Sequence, residues 1–108
     1  MTTDELIDAV KQWGKDKGIN NADKQLLKVF EETNEITREF VRGRYNTPEV
    51  VDSLGDSIVT LIILADIVGY DIRDCLAEAY GVISKRDGEN IDGSFVKSED
   101  LNGSSSPK

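Results

Sequence analysis

The chain has 108 residues, with 13 Lys and Arg against 21 Asp and Glu, for a net charge of −8. That length is one domain's worth, and the acidic balance argues against nucleic acid and anionic membrane surfaces, which demand clustered bases. Histidine is absent and Cys75 is the one cysteine, which excludes Ser-His-Asp and Cys-His catalysis, a Glu-x-x-His di-iron bundle, nearly all zinc sites and any intrachain disulfide.

The start, Met1-Thr2-Thr3-Asp4-Glu5, is acidic where a secretory leader is basic. The longest apolar run, Ile58 to Val68, contains Asp66 and is shorter than the roughly 20 residues of a membrane span. The expectation is a soluble, cytoplasmic protein without a leader. A first helix is expected over Asp4–Asp16, where Leu6, Val10 and Trp13 recur on one face and Thr2-x-x-Glu5 fits a capping box. Gly14 and Gly18 read as its fraying end. Trp13 is most simply a core anchor, with stacking on a bound base as the other reading.

A second helix is expected from Ala22 or Asp23 to Val41, with an apolar stripe through Leu26, Phe30, Thr33 or Ile36, and Phe40. Gly43-Arg44-Tyr45-Asn46 breaks it. The third begins at the N-cap Thr47 with Pro48 in its first turn and ends at Gly69. Its second half, Ile58 to Ala65, is apolar on every side and so has to be covered on every side. Three other helices of a small chain hardly suffice, so a homo-oligomer is expected, a dimer or a dimer of dimers. A fourth helix starts at Asp71, carries Ile72, Leu76, Ala79, Tyr80 and Ile83, and closes at Gly88. Cys75 borders that stripe and reads as an inert packed thiol. Ile91 to Val96 reads as an extended arm with an Asp-Gly turn, and residues 98–108 as a flexible tail, Gly/Ser-rich from Asn102 on. The fold class is all-α: a four-helix bundle over residues 1–97 with a short C-terminal arm.

The distinctive chemistry is carboxylate. Glu31, Glu32, Glu35 and Glu39 lie on the second helix, and Glu49, Asp52 and Asp56 stack on one face of the third. Such rows are commonly solvated surface. Here few bases accompany them, and Asp56 directly precedes the most apolar stretch, where an unpaired carboxylate is costly. Antiparallel pairing of the two helices would bring the rows together. A divalent cation would then remove their repulsion, and hard oxygen donors suit Mg²⁺ or Mn²⁺.

Phe30-Glu31-Glu32-Thr33-Asn34-Glu35-Ile36 resembles the E-E-x-x-E motif of MazG-type nucleoside triphosphate pyrophosphohydrolases, of the all-α NTP pyrophosphatase superfamily. Ser53-Leu54-Gly55-Asp56-Ser57-Ile58-Val59 is similar to the E-L-G-D context of that family's second motif, E-x-x-D, with Ser53 where the family has Glu. The resemblance covers about Gln25 to Arg86, and the chain looks most like small single-domain members from phages and bacteria. It implies hydrolysis of a nucleoside triphosphate to the monophosphate and pyrophosphate. It also implies Glu32, Glu35, Asp52 and Asp56 as ligands of Mg²⁺, with Mn²⁺ a substitute. Glu31 and Glu32 take catalytic roles, Glu31 as a further metal ligand or orienting or deprotonating the attacking water. Asp52 is the preferred substitute for the missing Glu, with Glu49 the other candidate. Substrate contacts are expected from Lys28, Trp13, Lys85 and Arg86, with Arg42 and Lys97 as further cations, and Lys24, Gln25 and Asn34 near the base. The alternative is a helical oligomer that keeps the fold without the activity, a reading that Ser53 favours.

Overall fold

The structure, a computed structural model, describes residues 1–101. The chain divides into two compact units, residues 1–74 and the residues from 75 onward. The order of elements is α1 (Thr3–Asp16), α2 (Ala22–Val41), α3 (Pro48–Ile67), α4 (Ile72–Ile83), β1 (Gly88–Ile91), β2 (Ser94–Lys97) and α5 (Ser98–Leu101). The protein is mostly helical, as expected. Among the described residues no helix is long and apolar enough to cross a membrane.

In the first unit the helix starts follow local chemistry. Thr2 and Glu5 form the capping box, Thr2 Oγ1 accepting from Glu5 N at 3.1 Å and Glu5 Oε1 from Thr2 N at 2.8 Å. Asn21 caps α2, its Oδ1 accepting from Lys24 N, and Thr47 caps α3 ahead of Pro48. The turn from α2 to α3 hangs on Gly43, whose φ of 71° closes the helix while Gly43 N and Arg44 N donate back to Phe40 O and Glu39 O. Gly69 ends α3 in the same manner, φ 91°.

α3 packs against both α1 and α2. Gly14 is not a fraying position. It is buried, and a Cβ there would stand 3.2 Å from Ile63 Cγ1, so it is where α1 crosses α3 closely. Gly14→Leu is expected to destabilise the protein by about 1–3 kcal/mol through overpacking, read as a lower midpoint in denaturant. Beside that crossing, Arg73 donates to Asp8 Oδ1 and to Asp71 Oδ2, both at 2.7 Å, and Lys11 Nζ lies 3.1 Å from Asp71 Oδ2. The Arg73 guanidinium holds the Asp71 carboxyl well below the usual range.

The α2–α3 seam keeps only Ile36 of the expected stripe. The covered positions of α2 include Gln25, Val29, Glu32, Ile36 and Glu39, and those of α3 include Val50, Ser53, Ser57 and Thr60. Leu26, Phe30 and Phe40, expected to pack inward, are exposed. Gln25 crosses the seam to donate to Thr60 O, while the Ser57 and Thr60 hydroxyls turn back onto their own helix, so small and polar side chains fill the seam beside Val29, Ile36 and Val50 and the bulkier apolar ones stand outside it. Ile58 to Ala65 is correspondingly split. Ile62, Ile63 and Ala65 are buried, whereas Ile58 and Leu61 are exposed.

In the second unit, α4 from Cys75 on is exposed along its length, including Leu76, Tyr80 and Ile83. Cys75 is exposed rather than packed. The helix stops at Ile83, and Gly88 instead opens a strand. The arm is a two-stranded antiparallel hairpin pairing Gly88 with Lys97 and Ile91 with Ser94. Asp92 and Gly93 both take positive φ, 50° and 87°, as a tight two-residue turn of this kind requires. Gly88 leaves no room for a side chain, because a Cβ would collide with Val96 O and lie 2.6 Å from Phe95 Cζ. Ser98 to Leu101, expected as part of a flexible tail, form a helical turn against both strands. Residues 102–108 of that tail lie outside the described residues.

Candidate functional site

A cavity of about 280 Å³ opens between α1, α2 and α3, with Trp13, Gln25, Lys28, Glu32 and Asp56 around an apolar floor that includes Ile63. Gln25 is buried and its Nε2 donates to Thr60 O at 3.1 Å, which pins the start of α2 to the middle of α3. One and two turns further along α2, Lys28 and Glu32 reach the same opening, and Asp56 meets them from α3. Trp13 is 49% exposed. It is therefore no core anchor, and its indole stands at the cavity as a free aromatic face.

Burial raises the Glu32 carboxyl above its ordinary value, and the negative charges of Asp56, Glu31 and Glu35 add to the effect while Lys28 opposes it. The acids are thus electrostatically coupled across the two helices. A carboxyl raised in the folded state takes up its proton more readily there than in the unfolded chain. Its cost to stability is fully present above the raised value and disappears as pH falls below the unfolded value near 4.5. Glu32→Gln is expected to raise the melting temperature of the metal-free protein at neutral pH. The gain should vanish in scans near pH ~4, where the carboxyl is protonated in both states.

The other expected site residues are distributed differently. Glu31 is exposed and lies 3.6 Å from Lys28 Nζ. Glu35 is half-buried and its Oε1 accepts from Arg38 Nη1 at 2.7 Å. Asp52 is exposed and lines a separate cavity with Tyr45, Thr47, Pro48 and Leu54, at the turn between α2 and α3. Ser53, by contrast, is buried in the seam, and its carbonyl accepts from Ser57 Oγ at 2.8 Å. Glu49 is exposed in the first turn of α3. Lys85 and Arg86 belong to the second unit, where Arg86 lines a cavity with Tyr80, Ile83, Ser84 and Phe95. Lys97 lies 3.7 Å from Glu99.

Sequence reasoning passed over Glu39 as a site residue. Its Oε1 is buried without a hydrogen-bond partner. The signal was present, because Glu39 follows Glu32 by seven residues and Glu35 by four, on the same covered face.

Among the described residues no three Asp, Glu, Cys or His side chains are gathered into a metal cage. Carboxylates are hard oxygen donors, the ligand class that Mg²⁺ and Mn²⁺ take. Glu32 feels the charges of Asp56, Glu31 and Glu35, and elsewhere on α2 one buried oxygen of Glu39 lacks a donor. No known protein family, curated protein or solved structure matches the chain.

Proposed function

We propose that the chain is a MazG-type nucleoside triphosphate pyrophosphohydrolase, acting in the cytoplasm in nucleotide-pool house-cleaning or phage nucleotide recycling. The observation that carries this reading is the shared cavity. Two coupled carboxylates from facing helices, Glu32 and Asp56, open onto the same space as a cation, Lys28, and an exposed indole, Trp13. That is the minimum set for a ligand with a metal-bound polyphosphate at one end and an aromatic base at the other.

In this reading Glu32, Glu35 and Asp56 hold Mg²⁺ or Mn²⁺, with Asp52 as the sequence-derived fourth ligand. When bound, the cation neutralises triphosphate charge and lowers the pKa of water. Lys28 holds a phosphate oxygen by charge, and Trp13 stacks on the base. Glu31, beside Lys28, accepts the proton of the attacking water. Water adds at the α-phosphorus, the bond to the α–β bridging oxygen breaks, and pyrophosphate leaves from the monophosphate. The assembly is a MazG-like homo-oligomer, a dimer or a dimer of dimers.

The test is pyrophosphate release from a panel of NTPs and dNTPs with Mg²⁺, with Mn²⁺ and with EDTA. The expected result is metal-dependent release of pyrophosphate together with the matching monophosphate. Folded protein that releases none from any substrate overturns the reading in favour of an inactive scaffold, the reading that Ser53 supports.

A further inference from the structure

We infer that Gln25 selects the base: its amide oxygen accepts from the exocyclic amino group of adenine or cytosine, so the site takes those two bases and rejects guanine, thymine and uracil. This deepens the nucleotide reading and rests on it. Gln25 is the least exposed polar side chain of the cavity, 5% exposed where Trp13 is 49%. A buried carboxamide is costly unless its groups are hydrogen-bonded. Only its nitrogen is, with Nε2 donating to Thr60 O at 3.1 Å. A backbone carbonyl accepts and never donates, so the amide cannot turn over. The nitrogen is fixed on Thr60, and the oxygen is fixed as an acceptor on the other side.

Among the described residues the one sealed side-chain oxygen without a donor is Glu39 Oε1. Gln25 Oε1 accepts from no protein donor and is not sealed, so it faces open space. The open space that Gln25 lines is this cavity and the adjoining one of about 420 Å³ at the turn between α1 and α2. Around it stand Ile19, Val59 and Ile63, which give an aromatic ring contact but no hydrogen bond. The ligand itself has to supply the donor.

The phosphates belong with Glu32, Asp56 and Lys28, and the ring face with Trp13. The edge of the base that reaches the deeper Gln25 is then the one furthest from the sugar. On adenine and cytosine that edge carries an amino group, a donor. On guanine, thymine and uracil the same place carries a carbonyl, which sets acceptor against acceptor. Their ring N–H lies next to that carbonyl, so approach to it brings the two oxygens together as well. A site built to hydrogen-bond one group discriminates strongly against an analogue without it, because its own buried group is left unpaired.

Trp13 is the only tryptophan, so its emission reports base binding without metal or turnover. dAMP and dCMP are expected to quench it with Kd values at least about tenfold below those of dGMP, dTMP and dUMP. Deoxynebularine monophosphate, which is dAMP without the amino group, should bind as weakly as dGMP, a comparison that needs no variant. In Gln25→Met, whose side chain is of similar length without the fixed acceptor, the preference should disappear. That preference is a ratio read within one protein, so a loss of stability does not imitate its loss. Equal binding of all five nucleotides by the parent, tighter binding of dGMP, dTMP or dUMP, quenching by none, or a preference that survives Gln25→Met each overturns the inference. The reaction stands or falls separately. Preference without pyrophosphate release from dATP or dCTP removes the reaction and keeps the base site, whereas release without preference removes the role of Gln25 and keeps the reaction.

Discussion

Asp56→Asn is expected to reduce metal-dependent pyrophosphate release by more than about 100-fold, because the substitution removes a charge from the proposed metal ligand set, where even outer-shell changes cost about 10–100-fold. The fold should survive it. Asp56 is half-buried and its charge is one of those that raise the Glu32 carboxyl, so neutralising it relieves repulsion within the seam. The metal-free variant should melt no lower than the parent. The discriminating reading is the metal response. A cation that binds only the folded state must raise the melting temperature, and the rise seen with Mn²⁺ in the parent should be largely lost in Asp56→Asn. A variant that retains turnover removes Asp56 from the metal site. One that loses turnover yet keeps its full Mn²⁺ response assigns Asp56 to another role in the reaction.

Much of the helical frame was legible because short-range chemistry decides it. The Thr2–Glu5 capping box, the Thr47 cap, Pro48 and Gly69 each act within one turn. The direction of the faces was not legible in the same way. Periodicity shows that Leu26, Phe30 and Phe40 share a side of α2, but the side that meets α3 is decided by what α3 offers. There it offers Ser53, Ser57 and Thr60. The polar side of α2 therefore turns inward, with Gln25 bonded to the Thr60 carbonyl. Gly14 was misread for a related reason, since a glycine inside a helix signals fraying or close approach alike until the crossing with Ile63 is known. The extended arm and its Asp92-Gly93 turn were legible, but the strand before the turn was hidden by its composition. Gly88-Glu89-Asn90 has little strand propensity, and the strands form around the Asp92-Gly93 turn. Of the expected site, Glu32, Asp56, Lys28 and Trp13 come to one cavity, whereas Asp52 lines another.

Ser53→Glu bears most directly on the acid that the resemblance leaves missing. Ser53 is 8% exposed in the α2–α3 seam. A glutamate there is a buried carboxylate added to an acidic seam. Without metal it should destabilise the protein by roughly 2–4 kcal/mol through the cost of burying the charge, and the midpoint in denaturant should fall accordingly. With Mn²⁺ the loss should be recovered, because the added oxygens stand on the covered face of α3, one turn from Asp56. Turnover should be kept or raised, consistent with Ser53 occupying the position of a ligand that other carboxylates replace imperfectly. If Ser53→Glu instead loses both stability and turnover and Mn²⁺ restores neither, the seam has been rebuilt around serine. The exposed Asp52 or the orphaned Glu39 oxygen would then have to supply the missing coordination from outside the family's pattern.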